Sequence, residues 1–312
     1  MTEIMEQSDA DYFKIAALSK SQIKNWNHFN PLDFWHESAF NPNKAPELAG
    51  DYVVTGKLFH MMLLQRELVD SNFEVNDELG KSRINKKWQA AQLASAKLLI
   101  SSEELDRATK MVDAISKHEI LRTLLSGLTI EKPFTWHDKE WDIPCKMRLD
   151  GLKNTSEGIY VFDYKTTSIM GQNISYIDKG GFQYDIGFYS RGIQAKYGQP
   201  LKKFIFIFQS TKEGEEHLIR LKVVEGPHMT ACEIATDLAV RQIVPRIKAW
   251  QSANSVICAE TDAEKYKAEL EAKEAAMLKC WLPYLEAESW EVSPWFDRAL
   301  AEDLNKGEIS ND

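Results

Sequence analysis

Over the first 125 residues apolar side chains recur three and four positions apart, the period of helices with one buried face. Ser19-Lys20-Ser21-Gln22 reads as a capping box, with Ser19 as N-cap and Gln22 at the third helical position. Leu18, Ile23, Trp26 and Phe29 mark the apolar face of that helix, and Pro31 stops it. A second helix is predicted over about 50–66, packing through Val53, Leu58, Met61 and Leu64, and two more over about 85–99 and 102–125. The last opens on another capping box, Ser101 to Glu104, and continues with Leu105, Ala108, Met111, Val112 and Ile115 at helical spacing.

The period changes after Gly127. Residues 128–136 and 141–149 read as strands joined by the polar turn His137-Asp138-Lys139-Glu140. Lys153–Gly158 reads as a second turn, and Ile159–Asp163 as a short central strand. A helix over about 178–197 presents Phe182, Ile186, Tyr189, Ile193 and Tyr197 on one face. Phe204–Phe208 is wholly apolar, as a strand covered on both faces must be. Residues 216–224 form a further strand, with Leu218, Leu221 and Val223 expected to be buried, and helices follow over about 229–253, 262–282 and 294–304. The order predicts an α/β fold, a sheet core with helical additions at both ends. Its expected divisions are a ragged start (1–10), a helical part (11–127), an α/β core (128–253) and a C-terminal helical extension (254–312). In that extension Trp281, Trp290, Trp295 and Phe296 either pack on the core or form a contact with another chain.

Composition narrows the class. The 312 residues carry 38 Lys and Arg against 47 Asp and Glu, a net charge of −9. This excludes a globally basic nucleic-acid binder but leaves room for a local basic groove. No window approaches the ~18 apolar residues a membrane helix needs. The acidic start MTEIMEQSDADYF does not resemble a signal peptide, so a cytoplasmic location without membrane partners is expected. Cys145, Cys232, Cys258 and Cys280 stand far apart, which fits reduced thiols rather than a zinc site or disulfide framework.

Chemistry concentrates at three positions. Asp150 is expected at the end of one strand and Asp163 at the end of the next, with Lys165 two residues on and therefore on the same side of an extended chain. Two hard oxygen ligands and an ammonium converging on one point suit metal-assisted phosphodiester hydrolysis: Mg²⁺ prefers carboxylates, water and phosphate. The Lys orients the attacking water and stabilises the charge of the transition state. Taken alone, Asp-x-Lys also describes a surface ion pair, and Glu271-Ala272-Lys273 has the same form within a helical segment. His60 follows Gly56 on one helical face, where the Gly permits close approach of another backbone; it reads either as a ligand or as a structural histidine. Glu131 either reaches a metal or faces solvent.

At these residues the chain resembles the PD-(D/E)xK nuclease superfamily, and within it the phage-type exodeoxyribonuclease VIII (RecE-like) catalytic domain, over about 18–225. Leu18–Ile23 with Pro31 resembles that family's opening helix, Gly56–His60 its Gly-to-His helix, Leu99–Leu105 the segment before its central helices, and Cys145–Asp150 its strand running from basic residues to Asp. Asp163-Tyr164-Lys165-Thr166-Thr167 is similar to its D-x-K-T-T core, and Gly187–Ser190 to its aromatic helix. The resemblance implies a restriction-endonuclease-like core with a mixed central sheet flanked by helices. It implies divalent metal at His60, Asp150 and Asp163, catalysis by Lys165, and Tyr189 near the DNA backbone; Glu131 is a catalytic candidate from its place on the strand alone. The family has Gln four residues before that Tyr, where this chain has Asp185; Gln183 takes over that role, or the role is lost.

The implied activity is Mg²⁺-dependent degradation of linear duplex DNA, with Mn²⁺ substituting, leaving a 3′ single strand for a RecT-like annealing protein. The resemblance also implies ring-shaped homo-oligomers that enclose the duplex. Lys81, Arg83, Lys86 and Lys87 are candidate DNA contacts, four cations within seven residues, and otherwise an ordinary solvated loop. Two alternatives remain: a structure-specific or nicking endonuclease of the same fold, and a non-catalytic DNA-binding recombination scaffold.

Overall fold

A computed structural model describes residues 4–6, 9–28, 34, 37–41, 51–79, 86–130, 133–168, 170 and 180–254. Residues 4–248 of this set belong to one compact unit. Helices expected beyond 254, with their tryptophans, lie outside the described residues, as do Glu131, Lys81 and Arg83. Residues 4–6, expected to be ragged, form strand β1 (Ile4–Glu6), which pairs with β4 (Phe134–Asp138). The helical region comprises α1 (Lys20–His28), α2 (Asp51–Leu64), α3 (Lys86–Ala94), α4 (Ser102–Lys117) and α5 (Glu119–Leu125).

Three local expectations shift. The third helix ends at Ala94, and Leu98–Ile100 is instead strand β3, parallel to β2 (Phe73–Val75). The Gln92 side chain spans the break, donating to the Lys97 carbonyl and accepting from the Leu99 amide, both at 2.9 Å. The helix expected over 102–125 breaks at His118, whose extended backbone ends α4 and opens α5. In α2 Leu58 is buried and Met61 packs partly buried against the core as expected, but the other fully buried positions are Val54, Phe59 and Met62, so the buried face is shifted from the one expected. Ser101 and Glu104 form the expected reciprocal capping box. At Ser19 the backbone N–H donates to Gln22 Oε1 at 2.9 Å.

Hairpin β4–β5 (β5, Ile143–Met147) is antiparallel, and its turn lies at 139–142, two residues later than expected. Asp138 explains the shift: Oδ1 accepts from the amides of Glu140 and Trp141 at 3.1 and 3.0 Å and so sets the turn after itself.

A mixed sheet lies at the centre, in the order β6 (Gly151–Thr155), β7 (Gly158–Thr167), β8 (Leu201–Ser210), β9 (Ile219–Val224). Strand replaces most of the turn expected over 153–158, which tightens to Ser156-Glu157. β7 and β8 run parallel, and the connection between them includes α6 (Phe182–Tyr197). The wholly apolar centre of β8, Phe204–Phe208, is covered on both faces. Phe204, Phe206 and Phe208 meet Phe182 and Tyr189 of α6. Ile205 and Ile207 pack with Val54 and Leu58 of α2 and Ala108, Met111 and Ile115 of α4. Each of these large side chains contributes about 1.5–3 kcal/mol by leaving water.

Burial on β9 differs from expectation. Leu218, Leu221 and Val223 are exposed, Val223 by 53 %. Leu221 and Val223 pair with Ile207 and Ile205, so they share the face that α2 and α4 cover over β7 and β8. β9 is the edge strand, and that cover does not extend over these two residues. Helix α7 (Pro227–Asn254) follows and packs on α6. Among the described residues no helix is long and apolar enough to cross a membrane.

Candidate active site

The antiparallel register of β6 and β7 sets Gly151 opposite Phe162, which brings Asp150, just before β6, next to Asp163 on β7. Asp150 therefore begins one strand rather than ending the previous one. Its Oδ2 accepts the Tyr164 amide at 2.9 Å and meets His60 Nε2 at 2.7 Å. Asp163 is buried, and Lys165, two residues along the strand, places Nζ 2.5 Å from Asp163 Oδ2. Asp150, Asp163, Lys165 and His60 thus meet as expected. Gly56 does not admit a neighbouring backbone: a Cβ there would find only Thr166 Oγ1, at an ordinary 3.8 Å.

Helix α1 supplies what sequence reasoning missed. Lys20 Nζ lies 3.2 Å from Asp163 Oδ1 and 3.7 Å from Asp185 Oδ1, and Lys24 Nζ lies 2.6 Å from Asp185 Oδ2. The available signal was a pair of like charges at i and i+4, an arrangement that weakens an isolated helix. Their acidic partners lie 143 and 161 residues away.

Asp185, not Gln183, reaches this cluster from α6. Gln183 is two positions back on the helix; its carbonyl accepts from Thr236 of α7, and its buried Oε1 has no hydrogen-bond partner. Tyr189 also departs from expectation. It is buried at 2 % exposure, stacks on Phe204, and donates its hydroxyl to the Arg148 carbonyl at 2.8 Å. It therefore braces the segment leading to Asp150 from within the core, with its ring 4.5 Å from Lys20 Nζ. Lys86 and Lys87 are exposed on α3, and Lys87 Nζ donates to the Glu78 carbonyl at 3.1 Å.

Charge pairing governs protonation here. Burial opposes ionisation of Asp150, but His60, Lys165 and Lys20 outweigh it and hold its carboxyl well below the usual range. Burial likewise opposes the charge on Lys20 and Lys165, and the surrounding carboxylates raise both above the ordinary lysine value. For Lys24 burial wins, and its affinity for the proton falls.

Among the described residues no three His, Cys, Asp or Glu side chains already stand together in a metal-ligand arrangement. The expected set of His60, Asp150 and Asp163 is instead a contacting pair beside a carboxylate held by two lysines. The donor chemistry nevertheless fits a hard divalent cation. The carboxylate of Asp150 adjoins the His60 imidazole, that of Asp163 lies on the neighbouring strand, and Asp163 Oδ2 is buried without a well-formed hydrogen bond. Nucleases of the PD-(D/E)xK type generally use divalent metals.

Comparison with known proteins agrees with this geometry. Residues 19–254 match the family model described as "PDDEXK-like domain of unknown function (DUF3799)". The crystal structure of a "Putative exonuclease" from Eubacterium rectale is similar in fold, with 11% identity and a TM-score of 0.52, over 78% of this chain and 85% of that one. The crystal structure of SSO0001 matches at 13% identity over 60% of this chain and 85% of its own, with a TM-score of 0.26, too low to bear on the fold. No curated protein matches. With strand-borne Asp163 and Lys165 facing Asp150 across a β-hairpin, and a family match over most of its length, the chain belongs to the PDDEXK-like domain family.

Proposed function

We propose that this protein is a Mg²⁺-dependent exodeoxyribonuclease that degrades linear double-stranded DNA, with Mn²⁺ able to substitute. The observation that carries the reading is the convergence of Asp150, Asp163 and Lys165 at one point of the sheet. Asp150, Asp163 and His60 are the residues that would hold the cation. When bound, it supplies Lewis acidity at the scissile phosphate. Asp150 is already oriented by the Tyr164 amide and His60. Lys165, 27 % exposed, presents its ammonium to the entering substrate, where it can orient water and offset developing negative charge.

Resemblance to the exodeoxyribonuclease VIII catalytic domain supports the finer reading. DNA ends are the substrate, a 3′ single strand is the product, and a RecT-like annealing protein receives it from a ring-shaped oligomer. The buried free thiols Cys145 and Cys232 suit a reducing cytoplasm. Lys86 and Lys87 are proposed to contribute to the groove wall.

Incubation of linear and covalently closed duplex DNA with Mg²⁺, using wild type and Lys165→Ala, tests the proposal. Loss of the linear substrate alone, by at least 100-fold less in the variant, is the expected result (~3 kcal/mol of transition-state stabilisation or more). Cutting of closed circles would replace it with the endonuclease reading. Binding without cleavage of either substrate would indicate a scaffold.

A further inference from the structure

The cluster holds one cation beyond the close pairs. Lys165 sits 2.5 Å from Asp163, Lys24 2.6 Å from Asp185, and His60 2.7 Å from Asp150. Lys20 adds a fourth basic group that reaches two carboxylates already partnered, at the longer distances of 3.2 and 3.7 Å. It rests over the Tyr189 ring at 4.5 Å, and its side chain is still 23 % exposed. An ammonium carries three donors. One donates to Asp163, and Asp185 Oδ1 at 3.7 Å is too far for a hydrogen bond, so donors of this partly exposed ammonium remain for an incoming acceptor. Taking a cation partly out of water is costly, and a shared pair of carboxylates plus an aromatic face offsets that cost without consuming every donor.

We infer that Lys20 is a phosphate-binding residue of this site. Its ammonium, held between Asp163, Asp185 and the Tyr189 ring, receives a non-bridging oxygen of the nucleic-acid backbone next to the phosphate attended by Lys165. The inference rests on the nuclease reading. Charge supports it. Asp150, Asp163 and Asp185 balance Lys20, Lys24 and Lys165, so any divalent cation that enters leaves the cluster with a positive excess suited to a backbone phosphate. Geometry supports it too: the three donors of the compact Lys head spread as a tripod and can meet acceptors that do not share a plane, whereas those of the Arg fork are coplanar.

The test measures binding of a short duplex in Ca²⁺, with wild type, Lys20→Met and Lys20→Arg compared over a range of salt concentrations. Calorimetric titration with Mg²⁺ alone and thermal melting accompany it. For Lys20→Met the expectation is DNA affinity at least 10-fold weaker and a log Kd against log[salt] slope smaller by about one contact. Mg²⁺ affinity should be no weaker than wild type. Lys20→Arg should recover part of the DNA affinity. An unchanged slope and affinity in folded Lys20→Met would overturn the inference and make Lys20 a structural counter-ion. If Lys20→Met does not fold, Lys20→Gln, which keeps a donor without charge, is judged by the same slope. A wild type that neither binds nor cuts DNA overturns the nuclease reading itself; a wild type that cuts, beside an unaffected Lys20 variant, overturns only the role of Lys20.

Discussion

One oxygen of Asp150 is shared by the Tyr164 amide and the His60 imidazole, so truncating His60 removes both a donor and an orienting contact. His60→Ala is expected to weaken divalent-metal affinity by at least about 10- to 100-fold, since losing a proposed ligand should cost no less than losing a partner behind one, as read by calorimetry. Tyr189→Phe leaves the Arg148 carbonyl without its hydroxyl donor at a cost of about 1–3 kcal/mol. The thermal midpoint should then fall by a few degrees while the melt stays cooperative. Asp163 and Lys165 were legible because strand alternation alone puts them on one side, and Asp150 because a hairpin partner had to lie opposite. Lys20 and Lys24 were not legible. The i, i+4 pair of like charges was the only local hint and does not say which groups they meet; their role exists only once α1 docks beside β7 and α6. Asp185 showed in the sequence only as a departure from a related pattern. The structure makes it the anchor of both α1 lysines.

At the level of elements, α4 begins with Ser101 and Glu104 satisfying each other's backbone amides, and Glu104 also accepts from Thr55 of α2 at 2.9 Å. Ser101→Ala should cost about 1 kcal/mol in denaturant unfolding. Glu104→Ala should cost more, because it severs the link to α2 as well. Helices α6 and α7 approach most closely at Gly187, where a Cβ would lie 2.5 Å from the Cys232 carbonyl and 2.2 Å from Thr236 Oγ1. One of these obstacles is backbone, so Gly187→Ala should destabilise by about 1–3 kcal/mol or more, measured as a lowered midpoint. Capping was readable because it depends on four consecutive residues. Strand β3 and the bare face of β9 were not, because a three-residue strand needs its neighbour Phe73–Val75, and the cover over an edge strand depends on how far α2 and α4 extend.

For the molecule as a whole, acid stability should depend on the tie between the β4–β5 hairpin and α6. Arg191 grips Asp138 through two nitrogens at 2.6 and 2.8 Å, and the guanidinium lies over Trp141 at 4.4 Å. Burial opposes ionisation of Asp138, yet Arg191 and the Trp141 amide together hold its carboxyl below the ordinary 3.8. A lowered folded-state value means stability fully present above the unfolded value and lost as pH falls through the folded one. Arg191→Met should flatten this acid limb, and thermal melts at pH 5 and pH 3 should show a smaller difference than in wild type. The switch from helices to strands was visible from the change of apolar period after Gly127, but four strands rather than the expected three precede α6, because Gly151–Thr155 pairs with β7 where a turn was expected, and only the last two of the four belong to the central sheet. The placement of α1 over that sheet has a further consequence, in the time needed to make the chain. Asp163 lies 143 residues after Lys20, a delay of roughly 7–30 s at common rates of synthesis. Throughout that interval a nascent chain carries the lysines without their acids, so no partly made copy holds the complete cluster until α6 has emerged.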